Sequence, residues 1–101
     1  MTTPLHIEIT DDARVQIAAA AAWWAENRPA APGAVLQELD RILGLLSVQP
    51  GMGTRAPRAT LSEVRRVTLN RIGYYVYYRV VGDALQVLAF RHTRRDEGPS
   101  V

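Results

Sequence analysis

The residues Leu5-His6-Ile7-Glu8-Ile9 alternate apolar and polar side chains, the period of a strand with one buried face. Thr10 then suits an N-cap, and Asp11 and Asp12 fall in the first helical turn, where negative charge complements the helix dipole. The alanine-rich stretch that follows predicts a helix to about Asn27. Ala18 to Ala22 add helix propensity and little bulk, so a neighbouring element can approach closely. Trp23 and Trp24 sit about 100° apart on such a helix. One is expected to anchor the core, the other to cover an edge or meet a partner.

Pro29 closes this helix, and Pro32 suits the first turn of a second one. Val35, Leu39, Ile42 and Leu46 form its apolar stripe, flanked by Leu36 and Leu43. Gln37, Glu38, Asp40 and Arg41 make its expected wet face, and Pro50-Gly51 ends it. The short connection predicts an antiparallel helix hairpin. Gly51 to Thr60 reads as a loop. Val64–Leu69, Tyr74–Val81 and Ala84–Arg91 read as three strands, turned at Asn70–Gly73 and at Gly82-Asp83, a two-residue hairpin signal. The predicted fold is α+β: an N-terminal strand, an antiparallel helix hairpin and a three-stranded antiparallel meander, with the helices packed on one face of the sheet. Residues 1–101 are expected to form a single domain with a frayed tail from about Asp96.

A tight turn at Gly82-Asp83 sets a register for the last two strands. Val80 then opposes Leu85, Tyr78 opposes Val87 and Val76 opposes Ala89, an apolar set that suits the helix side. On the other face Arg79 opposes Gln86, Tyr77 opposes Leu88 and Tyr75 opposes Phe90. By the same parity His92 and Arg94 extend that open face, and Arg66 joins it from the neighbouring strand. A one-residue slip would reverse the assignment. An aromatic and basic face of this kind can stack on bases, pair with phosphates or dock an acidic peptide.

Composition sharpens this picture in three ways. First, charge is divided along the chain. Residues 1–54 hold three arginines against six carboxylates, and residues 55–101 hold nine arginines against four, so a net charge of +2 conceals a basic C-terminal half. Second, cysteine is absent, which removes thiol chemistry and fits a reducing, cytoplasmic location. Neither a signal peptide nor an apolar run long enough to span a membrane is evident. Third, His6 and His92 lack metal-ligand spacing, no phosphate-binding glycine loop occurs, and no serine sits in a nucleophile motif, so neither a metal nor a cofactor is expected.

The element order, with WAENRPAAP at Trp24–Pro32, LDRILGLLSVQPGMG at Leu39–Gly53, Val64-Arg65-Arg66, Tyr77-Tyr78-Arg79-Val80, and Leu88 to His92 followed by Arg94-Arg95, resembles the RelE/ParE superfamily of toxins from type II toxin–antitoxin systems, a plasmid-stabilisation family. The resemblance covers nearly the whole chain. It implies a small bacterial toxin neutralised by a co-encoded antitoxin in a hetero-oligomer. It also implies one of two activities. ParE-like members inhibit DNA gyrase without known nuclease chemistry, and their target-binding face would here comprise Tyr75, Tyr77, Arg79, His92, Arg94 and Arg95. RelE-like members cleave mRNA on the ribosome. In that alternative Arg66, Arg79 and Arg94 would hold phosphates and His92 would act as general acid or base. Those nucleases carry an arginine where this chain has Tyr75, and RelE has a tyrosine near its end where this chain finishes Pro99-Ser100-Val101. The resemblance therefore favours a gyrase inhibitor over a ribosome-dependent nuclease. A third alternative is a non-toxic relative that retains antitoxin binding.

Overall fold

The computed structural model describes residues 3–56 and 59–94. Strand β1 (His6–Ile9) leads into helix α1 (Asp11–Asn27), helix α2 (Ala34–Val48) and a short 3-10 turn at Pro50–Met52. Strands β2 (Thr54–Arg55), β3 (Arg65–Leu69), β4 (Tyr74–Val81) and β5 (Ala84–His92) follow. The sheet order is β1-β5-β4-β3-β2. The expected meander is β3-β4-β5, and the N-terminal strand joins it by pairing parallel to β5, from His6 opposite Ala84 to Ile9 opposite Val87. The stretch Gly51–Thr60, expected to be a loop, contains the 3-10 turn and β2, which adds a two-residue edge beside β3. The sheet is therefore five-stranded and mixed. The tail expected to fray from about Asp96 lies outside the described residues.

Thr10 has extended backbone and is the N-cap of α1, its hydroxyl oxygen accepting from the Ala13 N–H at 3.2 Å. The same hydroxyl donates to the Leu88 carbonyl at 3.3 Å, so the cap also ties α1 to β5. Ala13, Ile17 and Ala20 are buried, and small residues here let α1 lie close over β5. Of the adjacent tryptophans, Trp24 packs against the core and Trp23 is exposed. Helix α2 buries Val35, Leu39, Ile42 and Leu46, the stripe that its periodicity predicts. These meet Leu69, Val76, Tyr78, Leu85, Val87 and Phe90 on one face of the sheet.

Glu38, expected on the wet face of α2, is largely covered, with 11% of its side chain exposed. It accepts from Arg41 at 3.1 Å and from Arg71 at 3.4 Å. Arg71 comes from the β3–β4 turn, so tertiary contact rather than helical period places this carboxylate. The Arg41 hydrogen bond, with help from the Arg71 guanidinium, holds its carboxyl below the ordinary value of 4.5 against the opposing effect of burial. The stabilisation from this pairing is fully present above pH 4.5 and is lost as pH falls through the lower folded value. Circular-dichroism melts of wild type and Glu38→Gln should differ by a constant margin at neutral pH and converge in acid. A margin indifferent to acid would show that the pairing contributes nothing.

Candidate functional site: the basic face of the sheet

The strands turn their second face away from the helices. Residues directly opposite one another in a register share a face. The rows on this face are Thr68, Tyr75 and Arg91; then Arg66, Tyr77 and Ala89; then Arg79 and Gln86. The Arg66 guanidinium lies 4.2 Å from the Tyr75 ring centroid, within stacking range for a cation over an aromatic face. Arg79 Nε donates to Gln86 Oε1 at 3.0 Å, which holds the guanidinium against β5. Tyr75 and Tyr77 meet edge to face at 6.2 Å. Arg66, Tyr75, Arg79 and Arg91 are all half-buried, their positions set by cross-strand neighbours. Chemically the face offers delocalised cations and one aromatic ring, a set suited to phosphates, carboxylates or stacked planar groups.

Tyr77 is a correction to the expected contact surface. It is fully buried on this face, in a second cluster with Val64, Leu88 and Ala89, against which Ala56 and Ala59 pack. Ala56, Ala59 and Val64, from the stretch between β2 and β3, pack with the ring and cover it. Nothing in the local sequence marks that segment as a cover, because it reads as a polar, proline-containing loop.

His92 and Phe90 are the second correction. The structure places both on the helix side. A β-bulge interrupts β5: Tyr77 opposes Ala89, whereas Tyr78 opposes Val87, leaving Leu88 as an extra residue. Parity therefore flips beyond Leu88. Tyr75 opposes Arg91 instead of Phe90, and His92 opposes Tyr74. Phe90 is buried in the main core and stacks on Tyr74 at 4.7 Å and 8°. The His92 ring sits edge-on to Tyr74 at 5.2 Å, and its Nδ1 accepts from the Arg94 backbone N–H at 3.1 Å. Arg94 is exposed in the turn beyond β5. The residues expected under a nuclease mechanism are thus split, with Arg66 and Arg79 on the basic face and His92 on the other. Arg95 lies outside the described residues.

Two residues that pattern reasoning missed belong to this region. Arg91 replaces Phe90 on the basic face. Gln16 of α1 supports the bulge, its side-chain oxygen accepting from the Phe90 N–H at 2.7 Å. The only sequence cue was the unbroken run Val87-Leu88-Ala89-Phe90, where no alternation resists a one-residue insertion. No group of three His, Cys, Asp or Glu side chains able to hold a metal ion occurs among the described residues. No helix among them is long and apolar enough to cross a membrane.

The fold has known counterparts. A solved structure described as the chromosomal ParDE TA system from P. aeruginosa aligns with a TM-score of 0.71 at 20% identity, covering 87% of this chain and 95% of that one. At that identity the likeness speaks for the fold. No curated protein matches the sequence. The family model described as the ParE toxin of the type II toxin–antitoxin system, parDE, matches residues 7–97. That match spans every strand and both helices apart from the first residue of β1, and on it the chain belongs to the ParE toxin family, whose members act within type II toxin–antitoxin pairs.

Proposed function

We propose that this toxin acts by inhibiting DNA gyrase through the basic face of its sheet, without catalysing a reaction itself. The observation that carries the reading is the bulge at Leu88, which sets the His92 imidazole on the opposite side of the sheet from Arg66 and Arg79. General acid–base catalysis needs the proton-transferring group within hydrogen-bond reach of the reacting atoms. A phosphate held by Arg66 and Arg79 would have the sheet between it and His92. Binding by arginines and an aromatic ring, by contrast, needs only the surface the face presents.

Purified protein should inhibit gyrase supercoiling of relaxed plasmid, and expression without the antitoxin should produce filaments with DNA-damage signalling. Normal supercoiling together with codon-phased cleavage of cellular mRNA would instead establish the ribosomal nuclease. Arg66→Ala and Arg79→Ala should each weaken gyrase inhibition at a cost of about 0.2–1 kcal/mol in stability, the worth of a cross-strand contact. His92→Ala should leave the inhibition in place, because no proton transfer is required. A supercoiling titration of the three variants checks the ordering.

A further inference from the structure

Strand β1 is an outer edge of the sheet, and its second side faces away from β5. The His6 and Thr10 N–H groups donate to the Asp83 and Val87 carbonyls at 3.0 and 3.1 Å, so the even-numbered residues turn their backbone groups toward β5. By alternation Leu5, Ile7 and Ile9 turn theirs outward. The Ser47 carbonyl of α2 accepts from the Leu5 N–H at 2.8 Å and so closes that end of the edge. Ile7 stands at the centre of the open part, with no strand beside it among the described residues. Along it runs a cleft of about 450 Å³ between β1 and α2, lined by Leu5, Ile7, Asp40, Leu43, Gly44 and Ser47. Leu36, one helical turn before Asp40, extends this stripe of α2 and is 55% exposed.

The edge is complementary to itself. Leu5, Ile7 and Ile9 pack toward the main core, and His6 and Glu8 are exposed on the opposite face, a base and an acid at mirrored positions about Ile7. In an antiparallel pair centred on Ile7, that residue exchanges both backbone hydrogen bonds with Ile7 of a second copy. His6 of each copy then falls opposite Glu8 of the other, in the closer, non-hydrogen-bonded pairs. Centring the pair one residue later would set Glu8 against Glu8, and like charges directly opposite are destabilising. A closed two-fold interface requires such self-complementarity, whereas a foreign strand does not.

We infer that a second copy of this chain seats on the open edge of β1, forming a two-fold dimer with one sheet continuous across both molecules. Backbone pairing at Ile7 joins the strands, His6 and Glu8 fix the register, and the α2 stripe of each copy covers the cleft of the other. The two-fold axis of an antiparallel pair stands perpendicular to the sheet. The helices of both copies therefore lie on one side and both basic faces on the other. The dimer presents the face that carries Arg66 and Arg79 twice, side by side. The inference stands on the edge and the cleft and is independent of the target proposed for that face.

The chain has no cysteine, so introduced thiols report the register against a clean background. His6→Cys and Glu8→Cys proteins, mixed and oxidised, should cross-link to each other, because closely opposed pairs bring Cα atoms to about 4.5 Å. Each variant alone should stay uncross-linked, because like positions then lie diagonally at about 7–8 Å. Equal cross-linking of either variant alone, or none in the mixture, overturns the inference. Sedimentation of the wild-type chain should show a monomer–dimer equilibrium. His6→Glu opposes two carboxylates at each symmetric pair and should weaken the dimer about fivefold, and adding Glu8→Lys to it should restore the affinity. Nothing lies within 4 Å of a Cβ placed at Gly44, so Gly44→Glu should hold the melting temperature while it fills the cleft beside Asp40 and weakens dimerisation at least about tenfold. A monomer at every concentration, or a dimer unmoved by both His6→Glu and Gly44→Glu, overturns the inference. Hydrogen-exchange protection of the Ile7 amide that appears only with added antitoxin identifies a different occupant and overturns it as well.

Discussion

Phe90→Ala should destabilise the protein by about 3–5 kcal/mol, the range for removing a buried aromatic side chain. Phe90 is 2% exposed and packs in the main core with residues of both helices. Its ring stacks on Tyr74 at 4.7 Å, a contact that area alone does not capture and that adds about 0.5–1.5 kcal/mol in typical pairs. Truncation also opens a void toward the cleft that Phe90 lines with Ala19, Ala20 and Trp23, so part of the void is open to water and the loss should fall short of a sealed cavity of equal volume. The prediction discriminates between two registers. Were β5 regular, Phe90 would project from the basic face and its loss would cost only about 0.5 kcal/mol, as at other exposed sites. A denaturant melt of Phe90→Ala beside Arg91→Ala decides the matter. A cost for Arg91→Ala as large as that for Phe90→Ala would mean that the bulge is misplaced.

The second large effect is expected at Tyr78→Phe, with a loss of about 1–3 kcal/mol, the cost of leaving buried polar partners unsatisfied. The Tyr78 hydroxyl donates to the Pro50 carbonyl at 2.6 Å and accepts from the Gly53 N–H at 3.0 Å. It thereby fastens the end of α2 and its 3-10 turn to the centre of β4. Burial pushes the hydroxyl above its ordinary value, so it stays a neutral donor throughout the working range. Arg65 ties the same loop from β3, its Nη1 donating to the Gly53 carbonyl at 2.8 Å. Space is as tight as the bonding is specific: a Cβ at Gly53 would come within 2.5 Å of the Tyr78 hydroxyl and 2.9 Å of the Arg66 carbonyl. Gly53→Ala must therefore shift backbone or break the bond, and it should cost at least as much as Tyr78→Phe. Thermal melts of both variants test this. A near-neutral Tyr78→Phe would mean that water replaces the hydroxyl and that the loop is fastened elsewhere.

Much of this architecture was legible along the chain because its causes are local. The cap at Thr10, the breaks at Pro29 and Pro50, and the 3.6-residue stripe Val35, Leu39, Ile42 and Leu46 each depend on a few neighbouring residues. So does the turn at Gly82, whose φ of 60° suits glycine. The order of strands and helices and the toxin-family resemblance follow from these local signals in sequence. The parallel placement of β1 beside β5 has no such signal, since a four-residue alternating strand fits either edge of a sheet.

The make-up of each sheet face was decided only in three dimensions. Parity carries a register outward from a turn, and one unpaired residue reverses every assignment beyond it. The run Val87-Leu88-Ala89-Phe90 is apolar throughout, so sequence alone carried no polarity to resist that reversal. The Thr10 hydroxyl, the Thr10 N–H and the Gln16 amide hold the bulge by bonding to Leu88, Val87 and Phe90 from about 70 to 80 residues away in the chain, contacts whose loop-closure cost is met only when α1 is already in place. Glu38 and Tyr77 were misread for the same kind of reason. Arg71 from a distant turn covers the first, and residues between β2 and β3 cover the second. Hydrophobic period records which side of an element is apolar, but burial is set by what another part of the chain lays over it.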